Sequence, residues 1–386
     1  MNEAIAFSRP CFGEAEADAA AAVVRSGWVV GGPRLAEFEQ RFAELCGAEH
    51  AIGVSSWTAG AFLALNAWGI GPGDEVIVPS LTFIASVNVI GHVGATPVFA
   101  EIDPGTYNID PADVARRITS RTRVIMPVDQ LGLPCDIDAI CSLARRHRLR
   151  VLDDAACAFG SRSHGRPVGA LADVTVFSLH ARKVVTTAEG GMITTDDAVL
   201  AERLRRLRQQ GMSLSDYARH GAPPTRFESY PEIGYNHRIT DIQAAIGLAQ
   251  LDRLDFMLER RRAVATRYDA YLSGHPVLIA PHVPAGLLPN WQSYQIRLHE
   301  VSGWSRNGVM DRLFEMGVPT RRGVMASHLE PPYEGPARRL PVTETTAAST
   351  LQLPMHPELT PEQQDRVVSA LDLLTSEMAR PWRQRQ

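Results

Sequence analysis

The stretch "FSLHARKVVTTAEGGMITT", residues 177 to 195, runs an apolar strand into one lysine, Lys183, and leaves it through a polar loop that contains two glycines. Lysine is scarce in this chain, where nearly all of the 39 lysine and arginine residues are arginine. A lysine near a strand terminus can form a Schiff base with a carbonyl cofactor when its surroundings neutralise the amine. The ordinary alternative is a surface lysine, so the reading turns on what flanks it.

Outward from this stretch, short β-rich runs recur: "DEVIVPS" (74–80), "TPVFAEID" (96–103), "TRVIMPV" (122–128), "LRVLDD" (149–154), "DVTVFSL" (173–179) and "GMITT" (191–195). Gly, Pro and Asp bound several of them, as strand ends require. Helical patterns lie between, such as "TAGAFLALNAWG" (58–69) and "DIDAICSLARRH" (136–147). Apolar strands spaced by helices indicate a largely parallel sheet covered on both faces, the α/β class. After residue 240 the pattern changes, and "RITDIQAAIGLAQLDRLDFMLERRRAVATRYDAYLSG" reads as one long helix. Thr240 and Gln243 form a capping box at its start, and Gly274 is the stop. A closing helix starts at "TPEQ", with Thr360 as cap, Pro361 in the first position and Gln363 completing the box. The expected division is a large α/β domain over 1–250, then the linking helix and a small C-terminal domain over 251–386.

The 386 residues are 45% hydrophobic and 21% charged, with net charge −4 and pI near 6.3. That composition suits a globular protein and carries no basic stripe of the kind nucleic-acid binders show. No apolar run is long enough to predict a membrane span, and the start of the chain lacks the apolar segment of a signal peptide. Five scattered cysteines fit reduced thiols in a cytosol better than a disulfide framework, and no CxxC pair suggests zinc. The expectation is a cytoplasmic protein with no metal, nucleic-acid or membrane partner.

Open parallel sheets bind ligands beyond the carboxyl ends of their strands. "SSWTAG" (55–60) leads from a strand into a helix, where backbone N–H groups and Thr58 can hold phosphate; an ordinary N-cap is the plain alternative. "VLDDAACAFG" (151–160) ends a strand in two aspartates whose side chains should face opposite ways. One of them can keep a heteroaromatic nitrogen protonated while the other is solvated or paired. With the lysine, these are the parts that hold pyridoxal 5′-phosphate: a phosphate cup, an acid for the ring nitrogen and an amine for the aldehyde.

In this combination the chain resembles the DegT/DnrJ/StrS family of pyridoxal-phosphate aminotransferases. The resemblance rests on "SGWVVGGPRLAEFEQRFAELCGAEHAIGVSS", "GIGPGDEVIVPSLTFIASVNVIGHVGATPVFAEIDPGTYNID", "VLDDAACAFGS", "FSLHARKVVTTAEGGMITT", "GYNHRITDIQAAIGLAQL" and "LQLPMHPELTPEQ", in the family order and over nearly the whole chain. It implies fold type I of these enzymes, with Lys183 carrying the internal aldimine and Asp154 facing the pyridinium nitrogen. Thr58, the Ala59 N–H and Ser178 would hold the phosphate, and Phe83 would stack on the ring. Asn236 would reach the phosphate of a neighbouring subunit, which implies a homodimer with shared sites. The implied reaction moves an amino group from glutamate or glutamine, through pyridoxamine phosphate, to a nucleotide-linked keto-sugar or a keto-cyclitol. An elimination or decarboxylation on the same fold, or a regulatory relative without catalysis, is the alternative.

The sequence departs from the family at four places. Cys157 stands near the ring hydroxyl where Gln or His is usual. Trp57 replaces a glycine in the phosphate turn and is expected to fill part of the substrate pocket. "PVDQLG" (127–132) replaces "HLYG", so Asp129 and Gln130 are expected to face the substrate. Ala188 replaces the first glycine of "TGEGG". Trp28, His180, Arg321 and His328 are further candidates for the substrate side.

Overall fold

The computed structural model of the protein describes residues 4–214, 219–220, 223, 225–299, 304–335 and 339–383. Seven strands form the central sheet: β1 (His50–Val54), β2 (Glu75–Pro79), β3 (Thr96–Ala100), β4 (Thr122–Ile125), β5 (Arg150–Asp154), β6 (Val174–Ser178) and β7 (Gly191–Thr195). Their order is β1-β7-β6-β5-β4-β2-β3. β6, β5, β4, β2 and β3 pair in parallel, and β7 runs antiparallel to both of its neighbours. Buried β-branched residues such as Val76, Val78, Val124, Val174 and Val176 explain why these runs are strands, since branched side chains pack well on a pleated surface.

Among the described residues the main helices are α1 (Glu14–Ser26), α2 (Pro33–Cys46), α3 (Trp57–Ala67), α4 (Ile84–His92), α5 (Pro111–Arg117), α6 (Ile137–His147), α7 (Ala198–Leu207), α8 (Asp241–Asp252), α9 (Leu254–Leu272), α10 (Arg306–Glu315), α11 (Pro341–Ser349) and α12 (Pro361–Arg383). One core joins α3, α4 and α7 to one face of the sheet through Leu63, Val87, Ile90 and Leu204. Another joins α6 to the other face through Ile140, Leu143 and Ala144. Both faces are therefore covered, as the pattern predicted.

A smaller antiparallel sheet follows, ordered β8-β9-β11-β10, from β8 (Leu278–Ile279), β9 (Tyr294–Leu298), β10 (Arg321–Arg322) and β11 (Thr350–Leu353). Its core takes in α9, α10 and α12 through Val264, Tyr268, Leu313 and Leu371, and Ile5 from the start of the chain.

The long helix is in fact two. Thr240 and Gln243 do form the capping box, and Gly274 takes φ 69. The chain leaves helical geometry at Arg253, with φ −108 and ψ 7. The core changes inside α9 and not at the break: α8 buries Ala244, Leu248 and Leu251 beside α2, the first turns of α9 bury Leu254, Met257 and Leu258 in that same core, and its later turns bury Val264, Ala265, Tyr268 and Leu272 in the small core. The Arg253 guanidinium is held at the break by Cys11 O (3.1 Å) and Glu16 (3.3 Å). At the closing helix, Thr360 Oγ1 accepts from Gln363 N–H (3.2 Å) and Gln363 Oε1 from Thr360 N–H (3.2 Å), as expected.

Candidate active site

Three carboxyl ends of the sheet converge. β1 runs into α3, whose cap Ser56 accepts from Ala59 N–H at 3.1 Å. That cap takes the Ala59 donor, so the first-turn N–H groups of Trp57 and Thr58 are the ones without an intrahelical partner. β6 ends at half-buried Ser178, which pairs with Gly191. A Cβ on Gly191 would lie 2.5 Å from the carbonyl carbon of Ser56, so only glycine lets β7 and Ser178 approach the helix start. The result is a cup of helix N–H groups and a serine hydroxyl, suited to an anion.

Past β6 the chain turns at His180 and reaches Lys183, whose N–H donates to His180 O at 2.9 Å. Lys183 is the only lysine among the 386 residues. Its Nζ donates to Cys157 Sγ at 3.1 Å. Cys157 and Phe159 are held from behind by Asn290, whose Nδ2 donates to their carbonyls at 2.7 and 2.8 Å. Gln292 Nε2 donates to Arg182 O at 2.5 Å and so braces the lysine turn. Ala188, beyond it, takes φ 69 without being glycine, which accounts for the glycine common at that position.

Asp154 ends β5. Ser86 Oγ donates to its Oδ2 at 2.6 Å and Ala156 N–H to its Oδ1 at 3.1 Å. Burial pushes this carboxyl up to about 6; the bonds from Ser86 and Ala156 and the charge of Lys183 pull the other way. Phe83, at the head of α4, leaves 68% of its surface exposed at this rim. Ser86, Asn290 and Gln292 escaped the sequence reading. Ser86 sits one turn inside an apolar helix, and the other two come from a distant loop, so no local period marks them.

Other expected residues lie elsewhere. Trp57 is 6% exposed, with its Nε1 donating to Val176 O at 3.1 Å. Its ring fills core above the sheet and does not line an open pocket. Asp129 is 2% exposed and accepts from Cys135 N–H at 2.7 Å. Gln130 is also buried, bonded to Leu81 O. Both turn away from the cleft because the "PVDQLG" segment continues β4 into the sheet, where Val128 bridges Asp154. Asp153 does face the opposite way from Asp154, but it is neither solvated nor ion-paired: it is 2% exposed beside Asp129 and Cys135.

His328 is 1% exposed. Its Nδ1 lies 2.5 Å from Ser80 Oγ and its Nε2 3.4 Å from Glu344. It belongs to a seam: Thr82 N–H donates to Met325 O (3.2 Å), Ser327 N–H to Ser80 O (2.8 Å) and Ser327 Oγ to Thr82 O (2.8 Å). The seam fixes the 325–328 segment to the end of β2, next to Phe83. Arg321 lies over Phe7, 5.2 Å from its ring centroid. Arg322 alternates to the other face of β10, with Nη2 3.9 Å from Met325 Sδ. Trp28 packs edge-on against His220 at 4.9 Å and over Gly32. His180 Nε2 lies 3.8 Å from Glu189. Asn236 is exposed on a strap whose His237 O accepts from Ser55 N–H at 2.9 Å.

Known proteins resemble this chain over most of their length. GDP-perosamine synthase of Caulobacter vibrioides is 44% identical over 341 residues, 88% of this chain and 89% of that protein. The spore coat polysaccharide biosynthesis protein SpsC of Bacillus subtilis is 39% identical over 376 residues, 96% and 97% of the two chains. The crystal structure of DesV from S. venezuelae with a ketimine intermediate superposes with a TM-score of 0.85 at 37% identity, covering 93% of this chain and 94% of that one. A sugar aminotransferase of Streptococcus pneumoniae, solved in its PLP form, gives a TM-score of 0.90 at 29% identity, covering 97% of this chain and 100% of that one. These structures have fold type I of the pyridoxal-phosphate enzymes, and this chain has it too. The family profile matches residues 10–372, and the chain belongs to the DegT/DnrJ/EryC1/StrS aminotransferase family.

Proposed function

We propose that this aminotransferase uses pyridoxal 5′-phosphate to move an amino group from glutamate or glutamine to a nucleotide-linked keto-sugar. The observation that carries the reading is the convergence of the sole lysine, a buried carboxyl and a helix-start anion cup at the ends of β6, β5 and β1. The donor set fits the cofactor. The cup is closed to any side chain at Gly191 and suits a phosphate. Asp154 suits a ring nitrogen, exposed Phe83 suits a ring face, and Lys183 suits an aldehyde. When bound, the cofactor supplies a carbonyl that takes amino groups and a cationic ring that withdraws electrons from the carbon losing its proton.

The chain does the rest. Asp154, ionised, holds the ring nitrogen protonated. Lys183 Nζ would take the proton from the amino-bearing carbon and return it to the carbon on the far side of the nitrogen, as general base and then acid. The Cys157 sulfur at 3.1 Å and the Gln292 brace on the Arg182 carbonyl would hold that amine in place. Thr58 and Ser178 anchor the phosphate, and Phe83 keeps water off the ring. Arg322, at the rim on the Met325 side, is the better placed of the two β10 arginines for an acceptor's phosphates. GDP-perosamine synthase carries a nucleotide in its name, which favours a nucleotide-linked acceptor over a keto-cyclitol here.

The functional unit is read as a homodimer in which Asn236 contributes to the neighbouring site. Phe227, Tyr230 and Ile233 on the same strap are 81%, 60% and 88% exposed, an apolar run that a second copy would cover.

Because Lys183 is the only lysine, the test is unusually clean. Borohydride reduction with the cofactor present should label Lys183 and block the single cut by a lysine-specific protease after residue 183. A label on another residue, with Lys183 still cleavable, would overturn the assignment. Glutamate or glutamine should discharge the visible absorption of the loaded protein, and silence of both while another amino acid works would overturn the donor.

A further inference from the structure

Behind Asp154, on the other face of the central sheet, Asp129 and Asp153 are each 2% exposed. One carboxylate oxygen of each, and Cys135 Sγ, lie within 4.8 Å of one another. Asp129 Oδ1 accepts from Cys135 N–H, but Asp129 Oδ2 and Asp153 Oδ1 are buried and meet no donor. The groups packed around them are acidic. Asp154 follows Asp153 on β5, Cys135 precedes α6, Cys141 lies on α6, and Asp173 stands behind Cys141. Arg145 of α6 acts on Cys141, while neither carboxyl of the pair feels a Lys, Arg or His. Asp154 is joined to the pair through the backbone: Asp129 N–H donates to Asp154 O and Asp154 N–H to Pro127 O, both at 3.0 Å.

Three ionised carboxylates cannot share this dry region with Lys183 as the only cation near them; like charges this close force at least one to take a proton. The hydrogen bonds decide which. Asp154 has donors on both oxygens and Lys183 nearby, so its charge is solvated by the protein. Asp129 has only the N–H and the thiol of Cys135 to set against burial, and each of Asp129 and Asp153 keeps one buried oxygen that meets no donor, an arrangement costly to keep ionised. Burial accordingly pushes Asp129 up to about 7 and Asp153 well above its usual range.

We infer that Asp129 and Asp153 hold one proton as a pair in the folded protein, carrying one negative charge in place of two, and that this proton lets Asp154 remain the ionised carboxylate of its strand end. The pair is a property of the chain; its consequence for Asp154 rests on the cofactor reading above. Both residues are positioning residues, since neither touches the cofactor side.

The folded pair keeps its proton to higher pH than the unfolded chain, whose aspartates titrate near ~3.9. The folded state therefore binds more protons, and the pair's contribution to stability falls as pH rises. Asp129→Asn and Asp153→Asn keep the shape and dispense with the proton. In cofactor-free protein, the melting temperature of each variant relative to wild type should improve by about 2–4 °C between pH 6 and pH 8.5. An equal change at both pH values would show a merely structural role and overturn the proposal. So would a stoichiometric divalent metal in the purified protein, found by elemental analysis, because the metal would supply the missing positive charge.

In loaded protein, each single variant leaves one charge behind Asp154, as in wild type. The pH midpoint of the visible band should then stay in place for both single variants and move down for the double variant, which removes that charge. Single variants that shift the midpoint as far as the double would mean that wild type carries two charges, and the one-proton pair would fall. A wild type that gains no visible band with pyridoxal phosphate would strike the cofactor reading alone, since the melting experiment needs no cofactor.

Discussion

Asp153 and Asp154 are neighbours on one strand, and the two faces of β5 treat them in opposite ways. Toward the ligand side, Asp154 has two donors and a lysine within electrostatic reach. Away from it, Asp153 lies among acids and a thiol, with a buried oxygen that has no donor. Burial is nearly the same for both, at 3% and 2% exposure, so burial does not separate their roles. The donors do: a carboxyl with partners can stand ready as an anion, and one without them can only be kept neutral or paired.

The largest test of this contrast is Lys183→Ala. Turnover should fall by about 10³-fold or more, since both the covalent anchor and the proton carrier leave together. Mixing and refolding that variant with Asn236→Asp, itself poorly active because its charge repels phosphate, should recover about a quarter of wild-type activity if sites are shared. Half of randomly paired dimers are mixed and each has one intact site. No recovery in a sample shown to contain heterodimers would assign Asn236 to its own chain.

Next in size, Asp154→Asn should cut turnover about 10²–10³-fold while the cofactor stays bound, because the amide cannot pair with a cationic ring nitrogen. Asp153→Asn should cost less than about tenfold. The reverse order would exchange the roles of the two faces.

A smaller effect concerns pH. On the proposed role Asp154 receives the cofactor as an anion, and burial raises it to about 6 in the free protein. Cofactor affinity, followed by its absorbance, should weaken by up to about tenfold per pH unit below that value, and Asp154→Asn should flatten the profile. The smallest expected change is Ala188→Gly: relief of the positive φ should add about 0.5–1 kcal/mol to unfolding stability in denaturant.

What the sequence reveals follows the same division. Val76, Val124 and Val176 announce their strands because burial and branching are local properties. Lys183, Asp154 and the α3 start could be placed because each sits where a strand ends, and strand ends are visible as changes of pattern. Asp129 could not. Whether it faces the cleft depends on the bridge between Val128 and Asp154, a contact between segments some 25 residues apart, and on Cys135 returning to donate to it. Trp57 misled for a related reason, since its indole satisfies Val176 O in the core. The break at Arg253 carries no proline or glycine, so no local signal marks it.

The seam from Ser80 and Thr82 to Met325, Ser327 and His328 has a mechanical meaning. Hinged enzymes swing one lobe over the ligand about a few compliant residues. Here the would-be moving lobe is riveted to the rim of the cleft itself, by side chains as well as backbone, with Glu344 behind His328 as a backstop. Swinging it open would break buried bonds at the very edge that Phe83 occupies. The doorway is thus built as a standing one, with the exposed Phe83 ring at its edge.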